Sequence, residues 1–72
     1  MKKTFQMVDL ECANCAAKME AAIGKLDGVT AVSVNFLMQK MTLEAEDARF
    51  DAILDEAQKI CRKYERDCTI VR

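Results

Sequence analysis

The amino-acid sequence predicts an α+β fold, a four-stranded antiparallel sheet with two helices on one face. Four short segments alternate apolar and polar residues with a period of two, and two longer segments carry apolar residues at helical spacing. The segments follow one another in the order βαββαβ, which is the ferredoxin-like arrangement. Because 72 residues accommodate one small domain, we assign residues 1–72 to it.

The first strand and the first helix are predicted from the opening third of the chain. The segment from Lys3 to Leu10 places Phe5 and Met7 on one face, as in a half-buried strand. From Cys15 onward, apolar residues recur every three or four positions among good helix formers. The helix should end at Gly28, since glycine commonly follows the last helical turn.

A hairpin, a second helix and a final strand are predicted from the remainder. The β-rich run Val29–Phe36 and the alternating run Met41–Ala45 form the two arms of the hairpin. Asp47 is the predicted N-cap of helix two, whose apolar stripe extends to Tyr64. The segment Cys68–Val71 is a short last strand, antiparallel and adjacent to the first.

Composition excludes several classes of function. The formal net charge of −1, with acids and bases interspersed, provides no basic patch for nucleic acid. No apolar run approaches the ~20 residues of a membrane span, so we expect no membrane contact. The N-terminus has no signal-peptide core, which predicts a cytosolic location. In a reducing cytosol the four cysteines should be ligands, redox groups or core residues rather than a disulfide framework.

Two cysteines three positions apart, Cys12 and Cys15, lie between the first strand and the first helix. Both sulfurs can turn toward one point, and the helix N-terminus favours thiolate over thiol. The pair is therefore predicted to bind one soft metal ion, with copper and zinc both open at this stage. A thioredoxin-like redox site is disfavoured because the chain has no proline to face the dithiol. No catalytic motif is found, so the segment by itself is expected to be non-catalytic.

The residues alone leave open which side chains would complete the coordination of the metal ion. Glu11 is either a solvated loop carboxylate or an oxygen ligand, and Asp9 is an alternative oxygen donor. Cys61 lies on the apolar stripe of helix two and is predicted to fill the core. Cys68 begins the last strand near the same edge, where it either packs inward or supplies a third thiolate.

The chain resembles the heavy-metal-associated domain over essentially its whole length. The resemblance rests on the segments Leu10-Glu11-Cys12-Ala13-Asn14-Cys15-Ala16-Ala17-Lys18-Met19-Glu20, Leu26-Asp27-Gly28-Val29 and Val32-Ser33-Val34-Asn35. Such domains occur as cytosolic N-terminal extensions of metal-transporting P-type ATPases, as small copper chaperones and as mercury-binding proteins. Two departures are Asp9-Leu10, where Gly-Met is common, and the segment Lys63–Asp67 before the last strand.

The residue before the first cysteine indicates the metal within this family. Copper-handling members usually carry Thr or His there, and zinc, cadmium and lead pumps often carry an acidic residue, as Glu11 is here. The resemblance therefore implies Zn²⁺ or Cd²⁺, with Pb²⁺ also compatible, held by Cys12, Cys15 and Glu11. Because Zn²⁺ and Cd²⁺ prefer about four ligands and Cu(I) is satisfied by two thiolates, the chemistry agrees.

The resemblance also implies partners. The chain should be a monomeric N-terminal module of a zinc/cadmium/lead-exporting P-type ATPase, in contact with the other cytosolic domains of the same protein. The full-length protein would lie in the plasma membrane with this module facing the cytosol. The alternatives are a free-standing Cu(I) chaperone and, from a different class, a dithiol oxidoreductase.

Overall fold

Four strands and two helices follow one another in the order βαββαβ in the computed structural model, which describes residues 1–72. The predicted fold class is confirmed. The strands, the helices and a 3-10 turn that precedes the second helix have the following bounds: β1 Lys2–Val8, α1 Ala13–Gly24, β2 Val29–Asn35, β3 Lys40–Ala45, the 3-10 turn Asp47–Arg49, α2 Phe50–Tyr64 and β4 Thr69–Val71.

The sheet is antiparallel throughout, with the strand order β2-β3-β1-β4. Phe5 of β1 lies opposite Met41 of β3, and Met7 lies opposite Ile70 of β4. The predicted adjacency of the first and last strands is thus confirmed. Because every second residue of a strand points to the same face, the inward side chains of these strands form one apolar surface beneath the two helices.

The core lies between that surface and the helices. Helix α1 contributes residues at helical spacing, and α2 contributes a stripe of five buried side chains. No charged or polar side chain is buried with them. The sixteen buried residues are Phe5, Met7, Leu10, Ala16, Met19, Ile23, Met41, Leu43, Ala45, Phe50, Ile53, Leu54, Ala57, Cys61, Cys68 and Ile70.

Side chains from the helices cover backbone groups on both edge strands. The Glu20 carboxylate accepts the Val34 N–H of β2 at 2.8 Å. On the opposite edge the Gln58 side chain accepts the Ile70 N–H at 2.8 Å and donates to the Cys68 carbonyl at 2.9 Å. These groups are satisfied within the chain and are withdrawn from pairing with a foreign strand.

Several boundaries differ from the sequence prediction, and two of them have a clear physical cause. The Asp47 carboxylate does not cap α2; it pairs with the Met1 ammonium at 2.7 Å, and a 3-10 turn precedes the helix. The N-cap prediction was wrong because this long-range ion pair competes for the carboxylate. The first strand ends at Val8 instead of Leu10, since the chain turns at Asp9.

The turn between α1 and β2 depends on glycine, although α1 itself ends at Gly24 and not at the predicted Gly28. Gly28 has φ +94°, and a Cβ there would lie 3.0 Å from the Glu46 carboxylate and 3.1 Å from the Ile53 side chain. Both the backbone angle and the space therefore disfavour any other residue. Neither helix of the structure is long and apolar enough to cross a membrane.

Candidate metal centre

The loop between β1 and α1 carries the predicted metal-binding cysteines. Asp9 opens the loop with φ +60°, the left-handed conformation that glycine adopts most readily. Leu10 then turns inward and is only 2% exposed, so it anchors the loop to the core. The next residues, Glu11 to Cys15, emerge at the surface at the start of the helix.

Cys12 is also the N-cap of α1. The helix begins at Ala13, two residues earlier than predicted, and the Cys12 sulfur accepts the Cys15 N–H at 3.2 Å. This contact satisfies one of the free N–H groups of the first turn, as a serine or aspartate oxygen usually does. No acidic residue lies in that turn, so the sulfur is the group that meets the positive end of the helix dipole.

The two half-buried thiols differ in acidity. The pKa of Cys12 lies below its ordinary value because of its contact with the Cys15 thiol, and the Cys15 and Asn14 N–H groups add to that effect. The pKa of Cys15 is raised to about 11 by the same contact, by desolvation and by the nearby charges of Cys12 and Glu65. The Cys15 thiol itself donates to the Tyr64 carbonyl at 3.9 Å. In the metal-free pair, Cys12 therefore loses its proton more readily than Cys15.

A third donor approaches the pair from the loop between α2 and β4. One oxygen of Glu65 and the sulfurs of Cys12 and Cys15 all lie within 4.8 Å of one another. Both Glu65 oxygens also accept the Glu11 N–H, at 2.9 and 3.2 Å. The carboxylate is thus attached to the backbone of the metal loop next to the first cysteine. Two sulfurs and a carboxylate oxygen form a donor set that a borderline divalent ion accepts.

The predicted oxygen donors, Glu11 and Asp9, lie beside this cluster and outside it. Both are exposed and line a surface recess of about 280 Å³, together with Glu65, Arg66 and Asp67. The main-chain N–H of Glu11 contacts Glu65, whereas its carboxylate is not among the three clustered donors. Ligation by Glu11 stays a prediction.

Cys68 lies in the core, as the packing alternative predicts. It is 0% exposed, as is Cys61, and burial raises the pKa of both thiols. Its backbone remains tied to the site loop, because the Cys68 N–H donates to the Glu65 carbonyl at 3.1 Å. The sulfur does not belong to the cluster of donor atoms around Cys12 and Cys15.

The sequence interpretation did not identify Glu65. The signal was available in the topology, because the pairing of first and last strands brings the loop before β4 to the same edge as the dithiol. A carboxylate in that loop was therefore a candidate. The sequence alone did not distinguish Glu65 from the nearby Asp67, because the conformation of the loop decides which of the two carboxylates faces the dithiol.

The comparison with protein families identifies a match over most of the chain. Residues 4–64 match the model of the heavy-metal-associated domain.

Two relatives of this chain differ in length and in the metal that they handle by name. A probable cadmium-transporting ATPase of Listeria monocytogenes is 46% identical over 46 residues, which is 62% of this chain and 6% of the ATPase. The copper chaperone CopZ of Bacillus subtilis is 39% identical over 51 residues, 71% of this chain and 67% of the chaperone. The chain therefore spans a small part of one relative and most of the other.

Solved structures with the same fold include oxidized MerP from Ralstonia metallidurans. The TM-score is 0.74 at 19% identity, and the alignment covers 100% of this chain and 97% of that one. At this identity the comparison concerns the fold, which is the antiparallel sheet with two helices described above.

Proposed function

The chain belongs to the heavy-metal-associated domain family, and from that premise we propose that it is the N-terminal delivery or regulatory module of a zinc/cadmium/lead-exporting P-type ATPase. Metal binding through Cys-x-x-Cys is the activity of the family, and the module itself is not an enzyme. In this proposal, ATP hydrolysis and transport belong to the remainder of the pump. The similarity to a cadmium-transporting ATPase supports it.

The observation that carries the choice of metal is the convergence of Glu65 on the dithiol. Cu(I) is satisfied by two thiolates in a near-linear arrangement and gains little from a carboxylate. Zn²⁺ and Cd²⁺ take about four ligands and accept oxygen. A carboxylate within 4.8 Å of both sulfurs therefore favours a divalent cargo, Zn²⁺ or Cd²⁺, with Pb²⁺ as a further candidate.

The ligand set that we propose is Cys12, Cys15 and Glu65, with Glu11 as the fourth donor from the adjoining recess. Cys68 stays in the core in this scheme. Binding requires that the second thiol lose its proton, because a metal-bound cysteine is a thiolate. Cys15 is the thiol that resists this loss, because its pKa is raised to about 11 in the metal-free protein.

The partners follow from this role. We propose that residues 1–72 act as one monomeric domain in the cytosol, which exchanges its ion with the other cytosolic domains of the same ATPase. The full-length protein would lie in the plasma membrane. The half-exposed sulfurs support an exchange, since a receiving ligand can reach them without unfolding of the domain.

A second candidate function is Cu(I) delivery by a free-standing chaperone. The specific observation in its favour is the 39% identity to the copper chaperone of Bacillus subtilis, over most of both chains. In that case Cys12 and Cys15 alone would hold the ion, and Glu65 would serve only to fix the Glu11 backbone.

The substitution Glu65→Gln separates the two candidates. The introduced amide can still accept the Glu11 N–H, but as a neutral group it is a poor ligand for Zn²⁺ and Cd²⁺. We expect Cd²⁺ and Zn²⁺ affinity to fall roughly 10-fold while Cu(I) affinity is unchanged. Competition titrations of the purified protein with all three ions measure this, and Glu11→Gln tests the fourth donor in the same way. Equal Cd²⁺ affinities of the wild type and Glu65→Gln would support the copper role.

A further inference from the structure

We propose that Gln39, at the tip of the β2–β3 hairpin, is a positioning residue for the metal loop. It contacts none of the donor atoms. Its side chain instead holds the backbone of Leu10, two residues before Cys12, in the orientation from which the donors converge. The inference rests on the proposed metal-binding function and adds a residue outside the Cys-x-x-Cys segment to it.

The contacts of the Gln39 amide are those of a neighbouring strand. Its Oε1 accepts the Leu10 N–H at 3.2 Å, and its Nε2 donates to the Leu10 carbonyl at 2.6 Å. The same Nε2 donates to the Phe36 carbonyl at 2.9 Å, which fixes the amide to its own hairpin. One half-buried side chain thus satisfies both backbone groups of a residue that β3 no longer pairs.

The backbone of Gln39 supports this arrangement. Gln39 has φ +54°, a left-handed conformation that costs a non-glycine residue free energy and persists only where the surroundings impose it. In this conformation its carbonyl accepts the Met7 N–H at 2.7 Å, while its side chain reaches Leu10. The main chain and side chain of Gln39 therefore hydrogen-bond to the first strand and the loop after it, beyond the last residue pair of β1 and β3.

The metal loop is consequently held from two sides. Gln39 holds Leu10 from the hairpin, and the Glu65 carboxylate holds the next residue, Glu11, from the loop before β4. Without Gln39, the Leu10 N–H and carbonyl lose their partners, and the loop has more conformations to lose when an ion binds. The expected effect is weaker binding, expressed mainly as faster dissociation.

The experiment compares Gln39→Met with Gln58→Met. Both glutamines hydrogen-bond to backbone through the side-chain amide, but Gln58 contacts Ile70 of the last strand and Cys68 just before it. Gln39→Met removes three such hydrogen bonds and Gln58→Met removes two, and both keep a similar side-chain volume. Cd²⁺ affinity is measured by titration and the dissociation rate by transfer to a chelator, alongside the free energy of unfolding in urea.

We expect Gln39→Met to lower Cd²⁺ affinity roughly 10-fold, mostly through dissociation, and Gln58→Met to leave it within twofold of wild type at a similar loss of stability. Similar affinities of the two variants would overturn the positioning role. Absence of Cd²⁺ binding by the wild type would instead refute the proposed function. If Gln39→Met does not fold, Gln39→Glu, which keeps the acceptor for the Leu10 N–H and loses the donor, must show an affinity loss that its stability loss does not match.

Discussion

Two pairs of cysteines in this chain have opposite effects on thiol acidity. Cys12 and Cys15 lie together at the start of α1, and Cys61 and Cys68 lie together between α2 and the last strand. The pKa of Cys12 is lowered by its contact with the Cys15 thiol, whereas burial raises the pKa values of Cys61 and Cys68. Contact between two cysteines therefore does not by itself lower the pKa of either thiol.

The surroundings of each sulfur decide the direction in which its pKa shifts. Cys12 is half-exposed and receives N–H groups from the first turn of a helix. Cys68 is 0% exposed within an apolar core, where a charge would lose its hydration. A metal-binding dithiol thus requires solvent access and backbone donors in addition to two sulfurs in contact.

The largest expected difference between the pairs is in metal affinity. Cys12→Ser should lower Cd²⁺ affinity by roughly 100-fold or more, because a lost ligand costs more than the 10–100-fold of a lost supporting contact. Cys61→Ala should leave affinity and stoichiometry unchanged. Titration followed by sulfur-to-cadmium absorption measures both. A comparable loss in Cys68→Ala would restore Cys68 as a third thiolate ligand.

Substitution of the same two cysteines by serine should have the reverse order of effects on the free energy of unfolding. Cys61→Ser places a hydroxyl in the apolar core and should lower the free energy of unfolding by about 1–3 kcal/mol. Cys12→Ser should not destabilise the fold, since a serine oxygen can accept the Cys15 N–H as the N-cap. Urea denaturation of the metal-free proteins measures this contrast. Equal losses in the two variants would mean that the loop cysteine is part of the packed structure.

The smallest expected effect is a pH dependence that arises from the buried pair. Burial raises the pKa of Cys61 to about 12, above the roughly 8.5 of an unfolded thiol. The folded state therefore holds the proton more tightly, so its stabilisation is complete below that lower pKa and is lost as pH rises toward 12. The slope is at most about 1.4 kcal/mol per pH unit for one group.

Unfolding measured between pH 8 and 10.5 tests this effect. The decline should persist in a Cys12→Ser/Cys15→Ser double variant, because the buried pair is intact there. It should become shallower in Cys61→Ala. A double variant with no decline would assign the effect to the metal loop.

Periodicity and turn chemistry were sufficient to predict the fold. The alternation around Phe5 and Met7 and the apolar stripe that ends at Tyr64 depend on local spacing, which the sequence displays directly. The predicted strand and helix were correct because, in a chain of this size, each apolar face has only one surface to pack against. The position of Cys12 and Cys15 at the strand-to-helix turn followed from the same local pattern.

The side-chain contacts that the sequence analysis missed join residues that are distant in the chain. Asp47 was predicted as a helix cap, but its carboxylate pairs with the Met1 ammonium. Glu65 reaches the dithiol from a segment about fifty residues away, and Gln39 reaches Leu10 across twenty-nine positions. No local pattern marks such contacts, because they depend on the exact angle at which each loop leaves its element.

The acidic recess beside the site has a consequence for how ions reach it. Four carboxylates and one guanidinium line the recess, which opens next to the metal loop. In the potential that these charges create, a hydrated divalent cation gains twice the energy of a monovalent one, before any ligand is exchanged. The recess thus raises the encounter rate of divalent ions, an advantage that salt screens within about 10 Å at 0.1 M. Discrimination between ions of different charge begins during diffusion, outside the coordination sphere.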